Sequence, residues 1–205
     1  ILRDLYPDAI VHLAARVGGI KDNSENQAEF YLQNTLINTN IIQAAHSTGI
    51  NRVLSSLSTC AFPDVVKEYP FTEKDIFNGP PAKTNFSYGY TKRALHVQTL
   101  SYRKQYGLNY STFCPSNIYG PSDHFETIEL WGTGSPKRQQ LYVDDLAEII
   151  PILLEKHNSS TPLIVAPDEN FSIKEMAEIA NNKIEKNVKI RYNGNLDGQY
   201  RKDGS

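Results

Sequence analysis

Arg52-Val53-Leu54-Ser55-Ser56-Leu57, then Tyr88-Gly89-Tyr90-Thr91-Lys92 at the head of a helical stretch, then Tyr110-Ser111-Thr112-Phe113-Cys114 decide the fold. The first and last are short, largely apolar or β-branched runs, the pattern of strands buried on both faces. Between them the stretch from Tyr88 to Tyr106 carries helical spacing and is stopped by Gly107. Working outward, Ala9-Ile10-Val11-His12-Leu13-Ala14 reads as an earlier strand. A helix over 27–47 follows it, with apolar residues at Leu32, Leu36, Ile37 and Ile41 and Gly49 as its terminator. Strand, helix, strand, helix, strand predicts an α/β protein with a Rossmann-like, doubly wound parallel sheet, whose ligands bind at the C-terminal strand ends.

The later chain is less regular. A long loop over 59–85 and irregular chain around Gly120-Pro121 are expected, with Pro115 cutting the strand before it. Short strands are expected at 128–131, 163–166 and 188–192, and a helix at 144–157 with a kink at Pro151. Ser172-Ile173-Lys174-Glu175 is a capping box that opens a helix reaching Lys183. The predicted organisation is a cofactor-binding domain over 1–120 and a smaller, mainly substrate-binding α/β part over 121–205, with 140–166 returning to the first sheet.

Composition narrows the functional classes. The 205 residues are 40% hydrophobic and 21% charged with a formal net charge of -2, which favours neither a nucleic-acid nor an acidic-membrane partner. No apolar run approaches the roughly 20 residues that span a bilayer. Cys60 and Cys114 have no neighbours with metal-ligand spacing and make no disulfide framework, so no metal and a reducing, cytoplasmic setting are expected. Cys114, between Phe113 and Pro115, reads as a small buried residue.

Tyr88 and Lys92 stand four apart, on one face of a helix. A phenol of ordinary pKa near 10 is a poor proton shuttle at neutral pH, and a nearby ammonium favours its ionised form. Alone the pair is common on solvated helices. Here Ser58 stands at the end of the preceding strand, where its hydroxyl can reach the same carbonyl the tyrosine serves. Ser58, Tyr88 and Lys92 in that order resemble the constellation of the short-chain dehydrogenase/reductase family.

The resemblance sharpens along the chain. His12-Leu13-Ala14-Ala15-Arg16-Val17-Gly18-Gly19, Leu57-Ser58-Thr59-Cys60-Ala61-Phe62-Pro63, Asn78-Gly79-Pro80-Pro81, the run from Pro115 to Phe125, and Trp131-Gly132-Thr133-Gly134-Ser135-Pro136-Lys137-Arg138 follow in order. Together with Asp197 to Lys202 they are similar to the extended, nucleotide-sugar branch of that family, the GDP-L-fucose synthases. The resemblance implies NADPH-dependent 3,5-epimerisation and 4-keto reduction of GDP-4-keto-6-deoxy-D-mannose. It implies catalytic roles for Ser58, Tyr88 and Lys92, with Cys60 as the epimerisation base. Ala14, Ala15, Asn34, Leu57, Tyr88, Lys92, Pro115, Asn117 and Ile118 would line the NADP site, Asn34 on the adenosine side. Ser58, Trp131, Arg138 and Lys202 would meet the nucleotide-sugar substrate, Arg138 and Lys202 at its diphosphate. A homodimer through the helices at 27–47 and 88–106 is implied as well.

Each assignment has a plainer counterpart: an inert strand-end thiol for Cys60, a core indole for Trp131, solvated cations for Arg138 and Lys202. The family's Gly-rich phosphate turn is not found; Gly132-Thr133-Gly134 continues to Lys137 and lies in no βαβ unit. Nor does a residue map onto the family's epimerisation histidine or substrate arginine, which belong to a stretch after Phe125; His124 is not that histidine. The expectation is that residues are missing before Ile1 and at this junction. Rival readings are a nucleotide-sugar 4-epimerase or 4,6-dehydratase, and a non-catalytic nucleotide-binding scaffold.

Overall fold

The computed structural model describes residues 2–121, 128–130, 132–183, 190–192 and 201–202. In chain order the first elements are α1 (Leu2–Leu5), β1 (Ile10–His12), α2 (Ile20–Glu25), α3 (Gln27–Ser47), β2 (Arg52–Ser56), α4 (Phe86–Tyr106), β3 (Asn109–Pro115) and β4 (Asn117–Tyr119). They are followed by β5 (Ile128–Leu130), β6 (Lys137–Arg138), β7 (Gln140–Tyr142), α5 (Val143–Lys156), β8 (Leu163–Val165), β9 (Phe171–Ser172), α6 (Ile173–Lys183), β10 (Ile190–Tyr192) and β11 (Arg201–Lys202).

The principal sheet has the order β1-β2-β3-β8, and every pairing in it is parallel. Parallel strands need helical crossovers, which cover both faces, so alternate residues of one strand enter different cores. Val53 and Leu57 of the β2 segment join Tyr110 and Cys114 of β3 against Ile42 and Ala45 of α3 and Leu95 of α4. Leu54, Phe113 and Val165 pack instead with Leu146 and Leu153 of α5. The two-sided apolar reading of β2 and β3 thus has its physical cause in two helical layers.

Helix ends follow local chemistry. Gly49 and Gly107 take left-handed φ values of 77° and 68°, ending α3 and α4 where a side chain would be strained. At α6 the Ser172 amide donates to Glu175 Oε2 at 2.7 Å and the Glu175 amide donates to Ser172 Oγ at 3.1 Å, closing the capping box.

Some boundaries differ from expectation. α4 begins at Phe86 rather than Tyr88, which places Tyr88 in its first turn. β3 includes Pro115 as its last residue, a position where the missing N–H is tolerated, and the Ser116 amide takes over by donating to the Val165 carbonyl at 2.9 Å. The loop over 59–85 contains three 3₁₀ turns, Thr59–Ala61, Glu73–Phe77 and Lys83–Asn85. α5 runs unbroken through Pro151. Before Gly120, residues 117–119 form β4, which pairs with β7 in parallel, and residues 122–127 of the expected irregular chain lie outside the described residues.

Beyond the principal sheet, β10 pairs with β5, and β11-β6-β9 form a small sheet. α6 covers part of this region, where Leu130 and Ala177 are buried with Ile173, Ala180 and Ile190 around them. Among the described residues no helix is long and apolar enough to cross a membrane.

Candidate active site

Three chain segments leave the sheet at one rim: Leu13–Arg16 after β1, Leu57–Cys60 after β2, and Ser116–Asn117 between β3 and β4. Ser58 stays extended, with φ −155°, and its Oγ accepts from the Cys60 amide at 3.2 Å, starting the 59–61 turn. That turn lies directly beneath the first turn of α4. A Cβ added at Gly89 would collide with the Cys60 carbonyl oxygen and the Pro81 ring, so only glycine permits this approach. Arg93 Nε donates to the Ala61 carbonyl at 2.5 Å and fastens the same junction.

This contact brings Tyr88 close to Ser58, which favours the ionised phenol. Phe30 of α3 meets the Tyr88 ring edge-on, with centroids 6.5 Å apart. Lys92, one turn along, is 2% exposed; its Nζ donates to the Ser56 carbonyl at 2.8 Å and lies 5.7 Å from the Tyr88 ring centroid.

The electrostatics differ from the expectation of a phenol drawn down by its lysine. Burial pushes the Tyr88 pKa up, the Cys60 charge adds to this, and the Ser58 hydrogen bond only partly opposes it. Burial also lowers the Lys92 pKa to about 8, with Cys114 and Cys60 pulling in the other direction. Tyr88 is therefore a neutral proton donor, and Lys92 is charged below about pH 8.

Cys60 is partly accessible, whereas Cys114 is fully buried in the α3/α4 core. The Cys60 charge reaches Tyr88, Lys92 and Arg138, which ties these groups to one region. Arg138, on β6, is only 7% exposed; its Nη1 donates to the Lys137 carbonyl at 2.6 Å. Burial lowers its pKa, countered by Cys60 and then Tyr69. It is not a solvated surface cation. Lys202 is the register partner of Arg138 between β11 and β6, and its side chain lies outside the described residues, as does all of Trp131.

The proposed cofactor residues are unequally placed. Ala14 is exposed at the rim, Ala15 and Asn117 are half-buried, and Ile118 is exposed. Leu57 and Pro115 have buried side chains, so a ligand could meet only their backbone. Asn34 differs most: it is 0% exposed, its Oδ1 accepts from the Arg16 amide at 3.0 Å, and its Nδ2 donates to the carbonyls of Arg16 at 3.1 Å and Phe30 at 2.8 Å. Its amide is consumed in holding the loop after β1. The sequence alone assigns no role to Gly89, His12 or Asn38. Polar residues at core positions of a strand and a helix were the available signal for the latter two.

Two features suit a nicotinamide ribose at this rim. Among the described residues Lys92 has a single acceptor for its three N–H groups, and the buried Ser116 hydroxyl has no hydrogen-bond partner. Among the described residues no group of three His, Cys, Asp or Glu side chains could hold a metal.

A Ser–Tyr–Lys cluster at the C-terminal rim of a parallel sheet defines the class of short-chain dehydrogenase/reductases. The chain belongs to the NAD dependent epimerase/dehydratase family, whose model matches residues 1–166. It is 34% identical, over 97% of its own length and 72% of the relative's, to a Drosophila melanogaster protein named probable GDP-L-fucose synthase. To the GDP-L-fucose synthase of Dictyostelium discoideum it is 33% identical, covering 98% of this chain and 70% of that one. The crystal structure of a GDP-L-fucose synthetase from Naegleria fowleri superposes with a TM-score of 0.83 at 27% identity, over 100% of this chain and 70% of that one.

Proposed function

We propose that this chain carries out NADPH-dependent epimerisation at carbons 3 and 5, then reduction at carbon 4, of GDP-4-keto-6-deoxy-D-mannose, yielding GDP-L-fucose. The observation that carries the reading is the convergence of Ser58, Cys60, Tyr88 and Lys92 at one junction of β2 and α4, within the electrostatic reach of Arg138. The names of the relatives, and a Naegleria fowleri neighbour described as bound to NADP, support the substrate and the cofactor.

Lys92, Ser116, Asn117 and the rim at Ala14–Ala15 would hold the nicotinamide end of NADPH, which supplies hydride to the substrate. The remaining chemistry belongs to the side chains. A ketone at carbon 4 acidifies the hydrogens on both neighbouring carbons. Cys60, as thiolate, accepts such a proton, and the Ser58 and Tyr88 hydroxyls hydrogen-bond the oxygen on which enolate charge gathers. A proton delivered to the opposite face of the same carbon, by water or by the acid the family carries after Phe125, completes each inversion. When the ketone is reduced, Tyr88 gives its proton to that same oxygen, the task of a phenol kept neutral by burial. Arg138, withdrawn from water, is placed for the diphosphate. Residues 1–120 then act as the cofactor-binding and catalytic part, and 121–205 mainly as the substrate-binding part, in a cytoplasmic enzyme.

We place a homodimer on the α3/α4 face. Tyr31, Leu32 and Leu36 of α3 and Val97 of α4 are about half exposed there. A shallow hollow of about 450 Å³ opens between Tyr31, Tyr90 and Val97. Large apolar side chains left exposed on neighbouring helices are a mark of association faces.

Incubation with the 4-keto sugar nucleotide and NADPH tests the reading: oxidation of NADPH with a GDP-L-fucose product supports it, and NADPH left unoxidised refutes it. Interconversion of a nucleotide hexose at carbon 4, or its dehydration, would favour the other family activities. Cys60→Ser should impair epimerisation more than reduction of an already epimerised ketone; equal losses contradict the role given to Cys60.

A further inference from the structure

α4 is also held at Thr91, from β1 and α3. His12, the last residue of β1, is 3% exposed, and its Nε2 lies 3.0 Å from Asn38 Oδ1 on α3. Asn38, also 3% exposed, donates through Nδ2 to the Thr91 carbonyl at 3.3 Å. An amide that donates through its nitrogen offers its oxygen to the imidazole, so His12 Nε2 must carry the hydrogen. Thr91 immediately precedes Lys92, and its own hydroxyl donates to the Tyr88 carbonyl at 2.8 Å. A buried polar chain thus runs from β1 through α3 to the backbone between Tyr88 and Lys92.

This chain lies in a buried layer to which α3 also contributes Phe30, Ile42 and Ala45, with Asn34 one turn from Asn38 and Lys92 near His12. Two polar groups in such a layer cost desolvation free energy, and a satisfied network returns specificity of placement rather than net stability. What it places here is the turn bearing both Tyr88 and Lys92.

We propose that His12 and Asn38 are positioning residues, a latch that fixes the α4 turn so that Lys92 stays withdrawn against the Ser56 carbonyl while Tyr88 faces Ser58. The inference rests on the reading of Tyr88 and Lys92 as working groups. The titratable groups around Lys92 are Cys60 from the 59–61 turn, Cys114 from β3, Tyr88 from its own helix and His12 from β1. Burial lowers the His12 pKa, the Asn38 bond opposes this, and Lys92 lowers it further, so the latch works with a neutral imidazole.

The test follows the Lys92 titration by NMR of ¹³Cε-labelled lysine, with the resonance assigned by its loss in Lys92→Arg. In the unaltered chain Lys92 should titrate near 8. In His12→Phe and Asn38→Leu the turn loosens toward water, and proton affinity at Lys92 should rise by about tenfold or more, one pKa unit. His12→Gln, which keeps an N–H toward Asn38, should retain the original titration. Where turnover is followed, kcat should fall by about ten- to a hundredfold with KM for the nucleotide sugar little changed. Asn38→Ser replaces Asn38→Leu if the latter does not fold. Lower melting temperatures with an unmoved Lys92 titration would overturn the proposal and leave a merely structural pair. Absence of turnover in the unaltered protein would refute the functional reading instead, and the lysine titration would still decide the latch.

Discussion

The principal sheet with its helices and the small sheets beside α6 use their buried groups in contrasting ways. In the first region two helices of 21 residues each, α3 and α4, lie on a parallel sheet over a continuous core that includes Phe62, Phe71 and Tyr110. Every group proposed for bond-making sits there, on the end of β2 or the first turn of α4, clamped by Gly89, Arg93 and the His12–Asn38 chain. In the second region the strands are two or three residues long, and the small core centres on Leu130 and Ala177. Its contribution to the site is a buried guanidinium, Arg138. The lesson is a division by tolerance. Proton transfer demands placement to fractions of an ångström, which long packed elements provide, whereas an ionic grip on a diphosphate survives a looser frame.

The comparison breaks if changes in the first region alter KM alone. Tyr88→Phe removes the proton donor while keeping the ring against Phe30. It should cut kcat for reduction by about 10²–10⁴-fold with little change in KM, as measured by steady-state NADPH oxidation. Gly89→Ala comes next. Its new methyl meets a backbone oxygen and a proline ring, neither of which can swing away, so the α4 turn must lift off the 59–61 turn. A loss of about tenfold to a hundredfold in kcat is expected, with a lower melting temperature. Arg138→Met tests the second region and should do the reverse: KM for the nucleotide sugar rises about tenfold, and kcat measured at saturation holds.

How far the sequence disclosed this arrangement follows the same line between regions. Alternation of apolar runs over β1, α3, β2, α4 and β3 was legible because each element is long or buried enough to stamp its period on the residues. The Tyr88–Lys92 spacing was legible for the same reason. Neither the pKa of Tyr88 nor the consumption of Asn34 could be read, since both depend on what the fold packs around the group. A phenol beside an ammonium in sequence becomes, once desolvated, a phenol with a raised pKa. An asparagine expected at a ligand becomes a bracket for Arg16. In the later chain β6, β7 and β9 were missed because Lys137–Arg138, Gln140–Tyr142 and Phe171–Ser172 carry no apolar run like the one that marks β8. Trp131 and the side chain of Lys202, expected at the substrate, lie outside the described residues.

The smallest kinetic effect should come from the site within the first region that is most heavily bonded. Arg52 opens β2 at the sheet edge opposite the active rim and ties the sheet to α5. Its Nε donates to the Leu154 carbonyl at 3.0 Å and its Nη2 to those of Leu153 at 2.9 Å and His157 at 3.1 Å. Its Nη1 reaches the Asn109 carbonyl at 2.8 Å and Ser111 Oγ at 2.7 Å. It thereby satisfies the carbonyls that the end of α5 leaves open, with a cation placed where the helix dipole is negative. Arg52→Ala strands several of these acceptors and should cost on the order of 2–4 kcal/mol in chemical denaturation. Yet Arg52 lies at the opposite end of β2 from Ser58, so kcat and KM measured well below the melting temperature should match the unaltered protein. A stability loss with unchanged kinetics would place the catalytic demand for precision at the β2–α4 junction, not throughout the first region. A matching fall in kcat would mean that the whole sheet, down to its far edge, sets the geometry at Tyr88.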